Sequence, residues 1–178
     1  MKVVIPMSGQ SSRFTSAGYQ TPKHLIEIDG KKVIEHIIDL YPKDSEFVFI
    51  INDKHKDETD VVDVLKRAAP DSVIVTIPSH KKGPVHSVLQ ATKYIDDYEP
   101  VIVNYCDFSM HWDYEDFEEF VVQTECDGCV VCYTGFHPHM LGSDNYAFCK
   151  TGEKNEILEI REKQPFTADK MSEFASTG

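Results

Sequence analysis

The chain is poor in basic residues: 18 Lys and Arg stand against 30 Asp and Glu, a formal net charge of −12. Affinity for nucleic acid and for anionic lipid comes largely from Lys and Arg, so neither partner is expected. Any phosphate the protein handles must be met by a local basic cluster or by a metal. Long hydrophobic runs are also missing. No stretch approaches the ~18 apolar residues of a membrane helix. Met1-Lys2-Val3-Val4-Ile5-Pro6 is too short an apolar run for a signal peptide. Cysteines are few and odd in number, at five, which points to reduced thiols and a cytoplasmic setting. With only nine glycines, the chain has neither the Gly-x-Gly-x-x-Gly dinucleotide fingerprint nor the Gly-Lys-Ser/Thr of an ATPase loop. Internal repeats, low-complexity tracts and linker-like stretches are absent as well.

What is there is an ordinary globular composition, 41% hydrophobic and 27% charged over 178 residues, enough for one domain. Short β-branched runs alternate with helical patterns. Strands are expected at 2–6, 46–51, 72–77 and 100–104. Helices are expected at 31–41, 57–69, 84–96 and 113–125, the last with Phe117, Phe120 and Val121 facing inward. From 128 onward the pattern turns to strands, at 128–134, 145–150 and 156–161. Four β-α units predict an α/β protein with a mostly parallel sheet covered on both faces. Ligands in such folds bind beyond the carboxyl ends of the strands, so the loops after strands one, three and four are the candidate site.

After the first strand comes Met7-Ser8-Gly9-Gln10-Ser11-Ser12-Arg13. Small residues let a backbone approach a ligand, successive N–H groups can cup an anion, and Arg13 suits bidentate phosphate contact. A plain strand-to-turn loop with a solvated arginine fits the spacing equally well. Ten residues on, Pro22-Lys23 fixes a lysine that could meet a phosphate as a point charge or simply be solvated. The fourth strand runs into Asn104-Tyr105-Cys106-Asp107. A carboxylate there is a natural Mg²⁺ ligand, or a turn cap.

Taken in order, these segments resemble the sugar-phosphate nucleotidyltransferases, or nucleotide-sugar pyrophosphorylases. The 7–13 loop with Pro22-Lys23 is similar to their signature. Gly83-Pro84-Val85-His86-Ser87-Val88-Leu89 resembles their helix start, and 101–107 their strand ending in a metal-binding aspartate. Asn145-Tyr146-Ala147 resembles their Tyr-Gly turn over the sugar, and Glu159-Ile160-Arg161-Glu162-Lys163-Gln164-Pro165 their Glu-Lys-Pro segment. The resemblance covers nearly the whole chain and implies a Rossmann-like nucleotidyltransferase fold. The implied activity is Mg²⁺-dependent transfer of a nucleotidyl group from an NTP to a phosphorylated acceptor such as a sugar 1-phosphate, releasing pyrophosphate.

The resemblance also implies roles. Pro6, Met7, Ser8, Gly9, Gln10, Ser11 and Ser12 would line the nucleotide, with Gly83 beside the base. Arg13 would stabilise the triphosphate and departing pyrophosphate, Lys23 would contact the phosphates, and Asp107 would hold Mg²⁺. Tyr146, Glu162 and Lys163 would hold the acceptor. Departures are plain: Ser11 replaces the usual second loop glycine, Pro84 and Ala147 are unusual, and Pro78 falls where a pyrimidine-reading glutamine would stand. The base is therefore open, as is homo-oligomerisation. Phe174-Ala175-Ser176-Thr177-Gly178 resembles the start of a family strand. The expectation is one catalytic domain over 1–178, truncated at its C-terminal end and lacking the family's second metal-binding aspartate.

Two alternatives stand beside this. One is a cytidylyltransferase acting on a non-hexose phosphate for capsule or surface-polysaccharide modification. The other is a glycosyltransferase using a finished nucleotide sugar, which would favour an Asp-x-Asp motif that Asp107-Phe108-Ser109 lacks. Cys126-x-x-Cys129-x-x-Cys132 is read as small core cysteines rather than metal ligands. His111, His137 and His139 are read as solvated loop residues, and the acidic run 113–119 as a solvated helix face.

Overall fold

Near-continuous apolar runs such as Phe47-Val48-Phe49-Ile50-Ile51 can be satisfied only in a strand buried on both faces, and that is where the chain puts them. The computed structural model describes residues 1–137 and 144–177. These fall into two compact units, Met1–Glu115 and Asp116–Gly178.

The first unit is built on a parallel sheet of β1 (Lys2–Pro6), β4 (Glu46–Asn52), β5 (Val73–Ile77) and β6 (Val101–Val103), in the order β5-β4-β1-β6. Alternate side chains serve opposite faces. Val3, Ile5, Phe47, Phe49 and Ile51 pack with Ile34 and Ile37 of α2 (Val33–Ile38) and Val61, Val64 and Leu65 of α4 (Val61–Ala68). Val4, Val48 and Ile50 pack on the other face with Val88 of α5 (Pro84–Leu89) and Ala91. The expected parallel sheet with helices on both faces is thus present. Its order reverses at β1: the chain winds outward through β4 and β5, then returns to place β6 on the other side. Crevices at such reversals are where open α/β sheets receive ligands.

Shorter elements complete this unit: α1 (Ser12–Ser16), a two-stranded hairpin of β2 (Glu27–Ile28) and β3 (Lys31–Lys32), and α3 (Asp53–Glu58). The hairpin takes Lys31 and Lys32 out of the helix expected at 31–41. Asp29 and Gly30 between its strands have φ of 50° and 77°, the left-handed pair that a tight hairpin turn requires. The helix expected at 84–96 ends at Leu89, and a 3-10 turn at Thr92–Tyr94 follows.

Helix α6 (Tyr114–Thr124) begins in the first unit and continues into the second. Its Phe117 and Val121 are half-buried, but Phe120 is exposed, so the expected inward trio is only partly realised. The second unit holds an antiparallel sheet of β7 (Cys132–Tyr133), β8 (Ala147–Thr151), β9 (Ile157–Glu162) and β10 (Phe174–Ser176), ordered β7-β10-β8-β9. Phe148 and Ala175 form its small core with Tyr133 and Phe166. The strand expected at 128–134 shrinks to two residues. Cys129 is exposed and Cys126 and Cys132 are half-buried, so the buried cysteines are Cys106 and Cys149 instead. Among the described residues no three His, Cys, Asp or Glu side chains gather to hold a metal, and no helix is long and apolar enough to cross a membrane. His111 is exposed; His139 lies outside the described residues.

Candidate functional site

The carboxyl ends of β1 and β6 flank the reversal; of the predicted nucleotide-side residues, 6–13 end and follow β1, Asp107 follows β6, and Gly83 follows β5. Pro6 closes β1 in register with Ile50 of β4. The Met7 N–H then donates to the Ile50 carbonyl (2.9 Å), extending the ladder one residue. Met7 and Ser8 are buried, while Gly9 and Gln10 are exposed. Ser8 is held twice. Its carbonyl accepts from Asn52 Nδ2 (3.0 Å), and its hydroxyl lies 2.8 Å from that of Ser87 on α5.

Ser11, where the resemblance implies a glycine, takes a left-handed conformation that glycine favours, with φ 52° and ψ 32°. The left-handed region costs an L-residue about 1–2 kcal/mol. Part of that is offset by a bond that glycine could not make, because Ser11 Oγ accepts from the Lys23 backbone N–H (3.2 Å). The loop and the lysine segment are thereby tied together. Ser12 and Arg13 follow on α1, both exposed.

Lys23 and Asp107, 84 positions apart in the sequence, meet at 2.8 Å (Nζ to Oδ1), each partly exposed. The Asn104 N–H donates to the Val4 carbonyl (3.1 Å), which carries the β1–β6 ladder one step past β6 and fixes the start of the Asp107 segment. Cys106, beside Asp107, is fully buried, and burial pushes its thiol up to about 12. It is a neutral packing group, not a nucleophile. Gly83 caps α5 with φ 87° and open space where a Cβ would stand. Its glycine is required by backbone conformation, not by crowding.

Beneath Lys23 lies a polar cluster that the sequence pattern did not single out. His24 is fully buried, its ring 5.1 Å from that of His55. Neither ring nitrogen has a hydrogen-bond partner among the described residues. Burial, then the neighbouring His55 and Lys23, pushes its pKa down to about 3, so the ring is neutral. Asn52 caps α3 by accepting from the His55 N–H (2.7 Å), and its Nδ2 also donates to His55 Nδ1 (3.0 Å). Asn52 therefore links this cluster to Ser8. It stands at the end of β4, the one central strand whose following loop was not singled out, and an asparagine at that ligand edge was the available signal.

The predicted acceptor residues gather in the second unit. The Lys163 N–H donates to the Tyr146 carbonyl (3.2 Å), and Ala147 pairs with Glu162 across β8 and β9. Glu162 and Lys163 pair with each other at 3.3 Å and are 69% and 57% exposed. Lys163 stands at φ 56°, just past the end of β9, so its direction is set by a left-handed turn and not by the strand itself.

Comparison with known proteins bears on the fold and the family. The bifunctional protein GlmU of Clostridioides difficile (strain 630) is 26% identical over 102 residues, 57% of this chain and 20% of that protein. The chain spans about a fifth of the length of the curated relatives it matches. A nucleoside-diphosphate-sugar pyrophosphorylase from Vibrio cholerae RC9 superposes with a TM-score of 0.70 at 22% identity, covering 98% of this chain and 72% of that one. An inositol-1-phosphate CTP transferase from T. maritima superposes with a TM-score of 0.67 at 16% identity, covering 99% and 68%. At these identities the superpositions speak for the fold. The family is settled by the match of residues 3–164, most of the chain, to the MobA-like NTP transferase domain, and the chain belongs to that family.

Proposed function

We propose that the chain transfers a nucleotidyl group from an NTP to a phosphorylated acceptor, a sugar 1-phosphate in the leading case, with release of pyrophosphate. The observation that carries this is the Lys23–Asp107 pair at 2.8 Å, at the reversal of strand order and tied to the small-residue loop through Ser11. An acceptor phosphate oxygen attacks the nucleotide α-phosphorus in line, and pyrophosphate departs. Such chemistry rests on positioning and charge stabilisation more than on covalent help. Arg13 and Lys23 supply the positive charge that an acidic chain otherwise lacks there. Glu162 and Lys163 would accept from acceptor hydroxyls and donate to its phosphate.

The donor set suits Mg²⁺. Magnesium is commonly held by one or two carboxylates, with substrate phosphates and waters completing the shell. Asp107 offers one partly exposed carboxylate whose second oxygen is free of the Lys23 bond. Bound there, the metal would neutralise charge on the phosphates. The five free cysteines fit a cytoplasmic setting.

The T. maritima likeness keeps the second reading, a CTP-dependent enzyme with a non-hexose phosphate acceptor, beside the first. The family match favours both over a glycosyltransferase. A pyrophosphate-release screen tests them together: ATP, CTP, GTP, UTP and dTTP against sugar 1-phosphates and non-hexose phosphates. Release with one pair supports the reading and names the substrates. No release with any pair overturns it.

A further inference from the structure

The connection from β5 to α5 carries a histidine with a defined tautomer. The Lys82 backbone N–H donates to His80 Nδ1 (3.1 Å), so Nδ1 presents a lone pair and the neutral ring carries its proton on Nε2. That Nε2 lies 3.0 Å from Ser87 Oγ and donates to it. Ser87 is 2% exposed, and its hydroxyl lies 2.8 Å from that of Ser8, itself 4% exposed. Two orientations of the serine pair are open. If Ser8 donated, the buried Ser87 hydrogen would have no acceptor among the described residues. If Ser87 donates, the hydrogen left over is that of Ser8, which is equally buried. A buried donor without an acceptor costs about 1–3 kcal/mol in either orientation; an acceptor oxygen bound at the 7–13 loop would relieve it for Ser8, and the chain would then run from Lys82 through His80 and Ser87 to Ser8. Its last hydrogen belongs to the loop between β1 and α1, in a residue whose carbonyl Asn52 already fixes.

We infer that His80 is a positioning residue which, through Ser87, sets the Ser8 hydroxyl as a hydrogen-bond donor to an acceptor oxygen of the bound nucleotide. This rests on the reading of 7–13 as a nucleotide loop. It assigns a role to a histidine that neither motif nor spacing marked.

The test measures calorimetric affinity for each of ATP, CTP, GTP, UTP and dTTP with Mg²⁺, on the full chain. The proteins are the wild type, His80→Phe, His80→Gln and Ser87→Ala. For the nucleotide the wild type binds, His80→Phe and Ser87→Ala should weaken affinity about tenfold, the worth of a hydrogen bond to a charged group. His80→Gln can still donate to Ser87 and should keep the wild-type affinity. Melting temperatures separate loss of binding from loss of fold, and the contrast between His80→Gln and His80→Phe decides the matter even if Ser87→Ala unfolds. If the wild type binds a nucleotide and all variants bind it equally, the positioning role is overturned while the nucleotide site stands. If the wild type binds none of the five, both fall together.

Discussion

Acidification should unfold this protein partly through one buried ring. His24 is fully buried and neutral, with its pKa down near 3, against about 6.5 in an unfolded chain. Between those values the unfolded state binds a proton that the folded state refuses. A depressed pKa therefore contributes stability present above about pH 6.5, lost as pH falls toward 3. One proton changes stability by about 1.4 kcal/mol per pH unit. Allowing for partial titration near 6.5, the loss from about pH 7 to about pH 5 comes to about 2 kcal/mol. That is a large share of a domain stability of about 5–15 kcal/mol. His24→Leu is similar in volume, cannot titrate, and removes two buried nitrogens without partners. It should match or exceed the wild type near neutrality, by up to about 1 kcal/mol, and its advantage should widen by about 2 kcal/mol at about pH 5. His55 shifts in the same direction, chiefly through burial, but it is present in both proteins and largely cancels in the difference. Urea unfolding followed by fluorescence reads this directly. The single tryptophan, Trp112, is half-buried in the first unit, with its Nε1 donating to the Leu40 carbonyl (3.0 Å). Parallel stability curves for the two proteins across this range would refute the assignment of His24 as the proton-refusing group.

At Ser11 the strain and the bond to Lys23 oppose each other. Ser11→Gly, losing both, should be nearly neutral in stability, and Ser11→Ala, keeping the strain and losing the bond, should lose about 1 kcal/mol; equal urea midpoints for Ser11→Ala and wild type would contradict this. Asp107→Asn preserves shape and removes the charge, so the apparent Mg²⁺ affinity measured with nucleotide present should fall about tenfold or more; an unchanged Mg²⁺ titration removes Asp107 from the metal. Lys163→Ala should lower kcat/KM for the acceptor about tenfold while calorimetric NTP affinity stays put. If Glu162–Lys163 is only a surface ion pair, worth about 0–1 kcal/mol, neither quantity moves.

What could be read from the chain beforehand follows how local the determining physics is. Runs such as Val3-Val4-Ile5 and Phe47 to Ile51 announce buried strands by composition, and β1, β4, β5 and β6 appear within a residue or two of expectation. The loop 7–13 and Asp107 could be picked out because each stands at or near a strand's carboxyl end, and Lys23 because it follows Pro22. Their meeting at 2.8 Å could not, since it depends on β6 returning beside β1. The Asp29-Gly30 turn was legible in principle, but the helical spacing of Val33, Ile34, Ile37 and Ile38 extended the expected helix over it. Phe120 shows the limit of periodicity: helical spacing assigns residues to a face without saying how much of that face is covered. His80 and Ser87 stayed hidden because a hydrogen-bond chain between a loop, a helix and β1's end has no sequence period at all.

The order β7-β10-β8-β9 has a consequence for synthesis on the ribosome. The strand made last of the four, β10, is an inner one, bonded to Tyr133 and Cys132 of β7 on one side and to Phe148 and Cys149 of β8 on the other. While the nascent chain grows from β8 to β10, both neighbours present unpaired backbone edges for a time on the order of seconds at ordinary elongation rates. Bare edges invite pairing with other chains. The interval before Phe174–Ser176 emerges is therefore when this unit is most open to capture by a holding chaperone or by another nascent chain.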